Sequence, residues 1–206
     1  MNSEDDINLF QLAWPVTALG PGRRVVLWVA GCRRRCPGCM SPEMRDPAQG
    51  RRVAPACLLR HLLRLPRDLD GVTISGGEPF DQAVALTALL TELHRQRPEW
   101  TVLVYSGSTL RHLQRTLAAR PMLAVVDVLV DGKYQRQNAR IHPLAGSGNQ
   151  RVIPLSSRGE SMVGEMSDMP FNQVNFGLGA GGQAMLIGVT DEATRAPLRR
   201  AVRGVG

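Results

Sequence analysis

Residues 24–39 read RVVLWVAGCRRRCPGC, an apolar run rich in valine that ends in glycine and leads straight into three cysteines. The run predicts a buried strand, because it is short, β-branched and bounded by a turn residue. Cys32, Cys36 and Cys39 therefore follow the end of that strand. Three clustered thiols match neither a disulfide, which uses two, nor a closed tetrahedral zinc site, which uses four ligands.

Downstream of this stretch, strand patterns alternate with helix patterns. Apolar β-branched runs predict strands at 24–31, 71–77, 100–107, 125–132, 151–155 and 183–190. Apolar residues at helical spacing predict helices at 55–65, 81–96, 108–119 and 191–202. The alternation is typical of a parallel sheet with crossover helices, so the predicted fold class is α/β. Residues 156–182, rich in Gly, Ser, Met and Asn, are expected to hold a hairpin or an ordered loop.

The first four predicted strands end in AGC, SGG, YSG and VDG. In parallel α/β folds, ligands bind at the carboxyl ends of the strands. Glycine at such an end lets the backbone turn sharply and approach a ligand closely. We therefore expect all four strand ends to face one site, with the three cysteines at the end of the first strand.

The clustered cysteines suit an iron–sulfur cluster. A cubane [4Fe–4S] cluster has four irons, and four thiolates would bind them all. Three thiolates leave one iron open, and an open position distinguishes catalytic metal sites from structural ones. The alternative is a zinc site completed by a histidine, for which His142 in a predicted loop is the best placed. Cys57 lies apart on the first predicted helix, where it is expected to be a small core residue.

The motif SGGEP, residues 75–79, follows the second predicted strand. Its glycines expose backbone groups, Glu78 adds a carboxylate, and Pro79 lacks an N–H. Acceptors of this kind suit the ammonium end of an amino-acid-like ligand, whereas a phosphate loop would present backbone donors and a lysine. The alternative is an ordinary turn between a strand and a helix.

Length and composition restrict the class of protein. The chain has 206 residues, 43% of them hydrophobic, which fits a single domain over 1–206 with a core at about 20–155 and a C-terminal extension at about 183–203. It lacks a run of about 18 apolar residues, and its acidic N-terminus is unlike a signal peptide. We therefore expect a cytoplasmic protein with no membrane partner. The net charge is +7, and nearly all of the basic residues are arginines scattered along the chain. Aromatic residues, on which bases would stack, make up only 4% of the chain, so a nucleic acid partner is not expected.

The order of these motifs resembles the radical S-adenosylmethionine (SAM) superfamily, which has three cysteines at this spacing after the first strand and GGEP after the second. A closer resemblance, to the activating proteins of anaerobic ribonucleotide reductase, covers about residues 10–155. It is carried by LGPGRRVVLWVAGC (19–32), CPGC (36–39) followed by SPE, SGGEPFDQ (75–82), VDVLVDGKY (126–134) and GSGNQRVI (146–153). These proteins belong with the glycyl-radical-enzyme activases that carry a single cluster. The implied fold is a partial, open (β/α) barrel of the radical SAM type.

The resemblance implies a role for each matched residue. Cys32, Cys36 and Cys39 would bind three irons of one [4Fe–4S] cluster, and the amine and carboxylate of SAM would chelate the fourth. The implied SAM contacts are Gly76, Gly77, Glu78 and Pro79 at the amine, Tyr105, Ser106 and Gly107 along the cofactor, Lys133 at the carboxylate and Asp131 at the ribose hydroxyls. The late motif, Asn149, Gln150 and Arg151, also matches, with no implied mechanical role beyond closing the site.

The activity that the resemblance implies is reductive cleavage of SAM to methionine and a 5′-deoxyadenosyl radical, which takes a hydrogen atom from the substrate. In an activase this atom comes from a glycine of a partner glycyl radical enzyme, such as anaerobic ribonucleotide reductase. An electron donor such as flavodoxin or ferredoxin would reduce the cluster.

Two other functions stay open from the sequence. One is a stand-alone radical SAM enzyme that modifies a small molecule or a ribosomal peptide, and the other is a non-enzymatic iron–sulfur or zinc module. Met40 and Ser41 stand where typical activating proteins of this group have an asparagine, and the arginine run at 33–35 is unusual. These departures leave the cluster and cofactor positions unchanged and bear on the identity of the substrate.

Overall fold

A seven-stranded sheet forms the centre of the computed structural model, which describes residues 5–178 and 184–203. The described strands are β1 (Ile7–Val16), β2 (Arg24–Val29), β3 (Arg51–Val53), β4 (Gly71–Gly76), β5 (Thr101–Ser106), β6 (Val128–Asp131), β7 (Arg151–Pro154), β8 (Asn175–Leu178) and β9 (Ala184–Ile187). The described α-helices are α1 (Pro55–Leu63), α2 (Ala83–Gln96), α3 (Leu110–Arg115), α4 (Arg120–Leu123), α5 (Ser157–Ser167) and α6 (Glu192–Arg203). Short 3-10 turns lie at Pro42–Arg45, Pro47–Gln49, Pro79–Gln82 and Leu117–Ala119.

The strand order in the sheet is β3–β1–β2–β4–β5–β6–β7. The central strands β2, β4, β5 and β6 run parallel, as the alternating pattern predicts. β1 and β3 at one edge and β7 at the other are antiparallel to their neighbours. Within the described residues β3 and β7 remain edges, so the sheet is open and does not close into a barrel. The predicted α/β class with a parallel core is confirmed.

Different elements cover the two faces of the sheet. Side chains alternate between the faces along a strand. On β2, Val25 and Leu27 belong to the core under α1 and α2, whereas Val26 and Trp28 pack with Ile187 of β9. β8 and β9 pair only with each other in the described chain and form the C-terminal hairpin. Helices α1 and α2 thus cover one face, whereas α5, through Met162 and Met166, and the C-terminal hairpin cover parts of the other.

Most predicted elements are confirmed. The predicted strands correspond to β2, β4, β5, β6, β7 and β9, and three of the predicted helices to α1, α2 and α6. The single helix predicted at 108–119 is wrong, because extended backbone at Thr116 ends α3 and turns the chain so that Ala119 is buried. β1 was not predicted, since its sequence lacks strict alternation and contains Pro15. Residues 179–183, where the unassigned stretch ends and the last predicted strand begins, lie outside the described residues.

Two local predictions need correction. Cys57 is exposed, because α1 turns Leu58, Leu59 and Leu62 toward the core instead. The stretch 156–182, expected to hold a hairpin or an ordered loop, contains one strand of the C-terminal hairpin, β8, but it also contains the helix α5, which was not expected. In the described part of the chain, no helix has both the length and the apolar character needed to cross a membrane.

Candidate functional site

The carboxyl ends of β2, β4, β5 and β6 meet around one cavity of about 700 Å³. This volume lies in the range of small-molecule sites. The predicted site residues on its wall are Cys32, Cys36 and Cys39 after β2, Gly76, Gly77 and Glu78 at the end of β4, and Tyr105, Ser106 and Gly107 at the end of β5. The structure therefore brings the cysteine loop and the glycine-rich turn together, as expected from the ends of parallel strands.

Backbone hydrogen bonds fix the conformation of the cysteine loop. At its base Cys32 N donates to Arg45 O at 3.1 Å, and at its tip Cys39 N donates to Cys36 O at 3.3 Å. Gly38 lies in that tip with φ +67, a left-handed conformation that glycine adopts without a steric penalty. All three thiols are half-buried, and burial raises the pKa of the Cys32 and Cys39 thiols. The loop thus presents three thiols to the cavity from a defined frame.

Three thiols from one loop fit a [4Fe–4S] cluster better than a single metal ion. In the part of the chain that the structure describes, no group of three His, Cys, Asp or Glu side chains surrounds one ion position. A cubane cluster does not need such convergence, since each thiolate binds a different iron. The zinc alternative required His142, which is missing from the described wall of the cavity and whose Nδ1 accepts from Leu144 N at 3.1 Å.

Glu78 is the most heavily bonded polar group on the cavity wall, with 1% of its surface exposed. Its Oε1 accepts from Ser106 Oγ at 2.8 Å and from Phe80 N at 3.1 Å. Its Oε2 accepts from Arg34 Nη1 at 2.7 Å and from Gly107 N at 2.9 Å. Burial raises the pKa of Glu78, while Arg34 and the hydrogen bonds lower it. The carboxylate therefore connects three wall segments, and a ligand ammonium would share it with Arg34.

Two positions of the SGGEP turn require glycine, because the backbone of another segment lies too close for a side chain. Gly76 has φ +104, and a Cβ on it would lie 2.5 Å from Val29 O. A Cβ on Gly77 would lie 2.1 Å from Gly31 O. Glu78 N donates to the same Gly31 O at 2.9 Å. Glycine at these positions is what lets the end of β4 lie directly against the base of the cysteine loop.

Arg34, in the middle of the cysteine loop, had no assigned role from the sequence. Its two terminal nitrogens donate to Glu78 and to Ser108 Oγ. The Arg34 side chain is 26% exposed, compared with 88% for the neighbouring Arg33. The arginine run at 33–35 was the available signal, but composition alone cannot tell which arginine turns inward.

Tyr105 contributes an unpaired hydroxyl to the site. Its Oη is buried and has no partner among the described residues. Burial raises the pKa of Tyr105, so the hydroxyl stays protonated at neutral pH. Because buried polar groups in native proteins are nearly always satisfied, an acceptor on a ligand in the cavity is a suitable partner for this hydroxyl.

Three predicted cofactor contacts are not brought to the cavity: Pro79, Asp131 and Lys133 are absent from its described wall. Asp131 is 1% exposed, and Arg151 donates to both of its carboxylate oxygens. Leu110 N, at the start of α3, also donates to Asp131 Oδ2 at 2.6 Å. Asp131 is thus paired with Arg151, and the Lys133 side chain is exposed; their contacts with the cofactor stay predictions.

Two further parts of the chain line the wall: Gln150, whose motif was expected only to close the site, and the C-terminal residues, for which no role was expected. Gln150 of the late motif lines the cavity; its Oε1 accepts from Gly146 N at 2.8 Å and its Nε2 donates to Gly132 O at 2.9 Å. The C-terminal residues 184–190 and Arg195 line it as well. The weak pattern of the preceding stretch gave no signal that the chain returns to the site.

Comparison with known proteins places this geometry in a family context. The family described as "4Fe-4S single cluster domain" matches residues 18–153, a span that contains the three loop cysteines and all four parallel strands. The anaerobic ribonucleoside-triphosphate reductase-activating protein of Enterobacteria phage T4 is 28% identical over 136 residues, which cover 65% of this chain and 85% of that protein. The proteins of the same name from Vibrio cholerae and Haemophilus influenzae are each 30% identical, over 58% and 65% of this chain and 79% and 88% of their own.

Proposed function

Because the chain belongs to the 4Fe–4S single cluster domain family, we propose that it is a radical SAM activating enzyme for a glycyl radical partner of the anaerobic ribonucleotide reductase type. The single observation that carries this proposal is the cavity in which three thiols of one loop face the glycine-rich ends of β4 and β5. The names of the curated relatives support the activase over other uses of the same scaffold.

In this proposal Cys32, Cys36 and Cys39 hold a [4Fe–4S] cluster with one iron left open for SAM. When bound, the cluster and SAM supply hydrogen-atom abstraction through one-electron reductive cleavage of the sulfonium. The protein supplies binding, orientation and protection of that chemistry. An electron donor of the flavodoxin or ferredoxin type is part of the proposal.

The residues of the chain would act on the ligand in distinct ways. Gly76 and Gly77 allow the backbone to approach the aminoacyl end closely. Glu78, already bonded to Arg34, keeps a negative charge next to the ammonium position. Tyr105 offers a hydroxyl donor, and the apolar side of the wall, with Trp28, helps to exclude water from a reactive site.

We further propose that the open sheet is a partial (β/α) barrel of the radical SAM type. The parallel strands β2, β4, β5 and β6 supply its curved centre, with α1 and α2 on the outer face. The cavity lies at the carboxyl ends of these strands, where barrel enzymes bind their ligands.

A stand-alone radical enzyme remains the second candidate, and one observation favours it. The C-terminal hairpin and α6 lie beyond the family match, which ends at residue 153, and yet they line the cavity. In this candidate the additional chain along the wall would narrow the access to the site, which suits a small molecule or a short peptide.

The two candidates separate in one experiment. The reconstituted, reduced protein is incubated anaerobically with SAM and the anaerobic ribonucleotide reductase from the same genome, and the reductase is examined by electron paramagnetic resonance. The activase predicts a glycyl radical signal with the wild type and none with Cys36→Ala. Formation of 5′-deoxyadenosine without a glycyl radical would favour the stand-alone enzyme.

A further inference from the structure

The C-terminal hairpin and α6, together called the C-terminal unit, form a wall of the cavity that lies beyond the family match. The match ends at residue 153, whereas residues 184–190 and Arg195 line the cavity. This wall is therefore a feature of this chain rather than of the matched family region.

The C-terminal unit is docked by specific contacts. Asn175 Oδ1 accepts from the backbone N–H groups of Thr17 and Ala18, both at 2.9 Å. Asn172 Nδ2 donates to Asp191 Oδ2 at 2.8 Å, and Asp191 N donates back to Asn172 Oδ1 at 3.0 Å. Asp191 Oδ1 also accepts from Thr194 N at 2.8 Å, so the Asp191 side chain caps the N-terminus of α6. The start of α6 therefore has a defined place beside the cavity.

Arg195, in the first turns of α6, is a buried cation with an unsatisfied donor. It is 8% exposed, lines the cavity, and its Nε has no partner among the residues that the structure describes. Its Nη2 donates to Glu192 at 2.6 Å, but the Glu192 side chain is 53% exposed and its charge is screened by solvent. A buried N–H without an acceptor is costly, so the site is incomplete without a further acceptor.

Arg195 differs from the other two arginines on the described wall. Arg34 is bonded to Glu78 and Ser108, and Arg45 lies close enough to the Cys39 thiol to act on its charge. Arg195 is the one with a buried, unpaired N–H. Since the side chain of Lys133 is exposed and is absent from this wall, Arg195 is the better placed cation for an anionic ligand group.

We propose that Arg195 binds the carboxylate of SAM, so that the C-terminal unit of this chain completes the SAM site. The inference rests on the proposed function. The planar fork of a guanidinium matches a carboxylate better than a lysine ammonium does. A carboxylate has about four lone-pair positions, so it can ligate iron and still accept from a guanidinium.

The test compares two ligands that differ only in the carboxylate. Anaerobic isothermal titration of the reconstituted protein gives the dissociation constants of SAM and of decarboxylated SAM. Arg195→Gln is expected to weaken SAM binding by about 10- to 100-fold, the usual effect of losing a hydrogen bond to a charged group. Binding of decarboxylated SAM should be unchanged. Arg200→Gln, an equal charge change at an exposed position of the same helix, should alter neither constant.

A loss that is equal for both ligands, or no loss for either, would overturn the inference while leaving the proposed function intact. Wild-type protein that holds its cluster but binds neither ligand would overturn the proposed function and this inference together. Arg195→Lys keeps the positive charge but lacks the planar guanidinium. It serves as a second variant in case the glutamine variant does not fold. It should recover part of the selectivity for SAM over decarboxylated SAM.

Discussion

At the scale of single residues, the site depends on a few side chains that hold separate segments of the chain together. Glu78 is nearly inaccessible to solvent, and its carboxylate accepts four hydrogen bonds, all from other parts of the wall or from the following turn. Arg34 supplies the countercharge from within the cysteine loop. Removing one partner of a buried pair leaves the other charge uncompensated, which costs more than the pair contributes.

Arg34→Met should therefore destabilise the protein by about 1–3 kcal/mol, the cost of leaving a buried acceptor unpaired. Arg33→Met should leave stability almost unchanged, because the Arg33 side chain is 88% exposed and exposed ion pairs contribute little. Urea unfolding of the apo-proteins measures both changes. Equal stability of the two variants would contradict the role given to Arg34.

Gly77→Ala tests the close approach of the SGGEP turn to the cysteine loop. A Cβ at Gly77 would lie 2.1 Å from a backbone oxygen, so the backbone must shift, at a cost of about 1–3 kcal/mol. Gly164 on α5 has open space around it, and Gly164→Ala should stabilise by about 0.5–1 kcal/mol. Thermal unfolding distinguishes the two substitutions by sign, and a stabilising Gly77→Ala would refute the argument.

At the scale of elements, the sequence predicts the parts whose pattern is local and leaves the rest open. β2 and β4 are apolar runs ending in glycine, so both their existence and their shared site could be predicted. β1 could not, because its strand character comes from pairing with β2 and β3. The inward position of Arg34 and the return of the C-terminal hairpin depend on tertiary contacts that no local pattern records.

The docking of α5 gives an element-scale prediction about pH. Arg158 of α5 contacts His94 of α2, whose Nε2 lies 2.9 Å from Arg158 Nη2 and 3.9 Å from Asp127 Oδ2. The pKa of His94 is lowered mainly by burial and also by the positive charge of Arg158, while Asp127 acts in the opposite direction. Because the folded state binds this proton less readily than the unfolded chain, stability should fall as the pH drops through the ordinary histidine range.

Urea unfolding between pH 7.5 and 5.5 should show a smaller loss of stability in His94→Gln than in the wild type. His61→Gln removes an exposed histidine and should reproduce the wild-type dependence. A pH dependence that His94→Gln leaves unchanged would show that this contact does not couple protonation to the docking of α5.

At the scale of the whole molecule, two separate parts of the chain build one cavity. The strand ends of the family region supply the cysteine loop and the glycine turn, and the C-terminal hairpin and α6 supply another part of the wall. The match with the phage T4 relative covers 85% of that protein but only 65% of this chain. The added chain therefore modifies a site whose cluster and turn residues lie inside the shared region.

Ile187→Ala tests this coupling between the hairpin and the site. Ile187 is 6% exposed and packs with Trp28, so the truncation should destabilise the protein by about 2–5 kcal/mol. It should also weaken SAM binding, since Arg195 lies on the helix that follows. Phe176→Ala, on the partner strand of the hairpin, removes a side chain that is 65% exposed and should do neither. Unchanged SAM affinity in Ile187→Ala would separate the hairpin from the site.

The central claim is that the three loop cysteines hold a cluster that cleaves SAM. The most direct measurement is mass spectrometry of 5′-deoxyadenosine after anaerobic reconstitution with iron and sulfide, reduction and addition of SAM. The account predicts product from the wild type and from Cys57→Ala, whose thiol is exposed on α1, and none from Cys36→Ala. Absence of product from wild-type protein that holds an intact [4Fe–4S] cluster would contradict it.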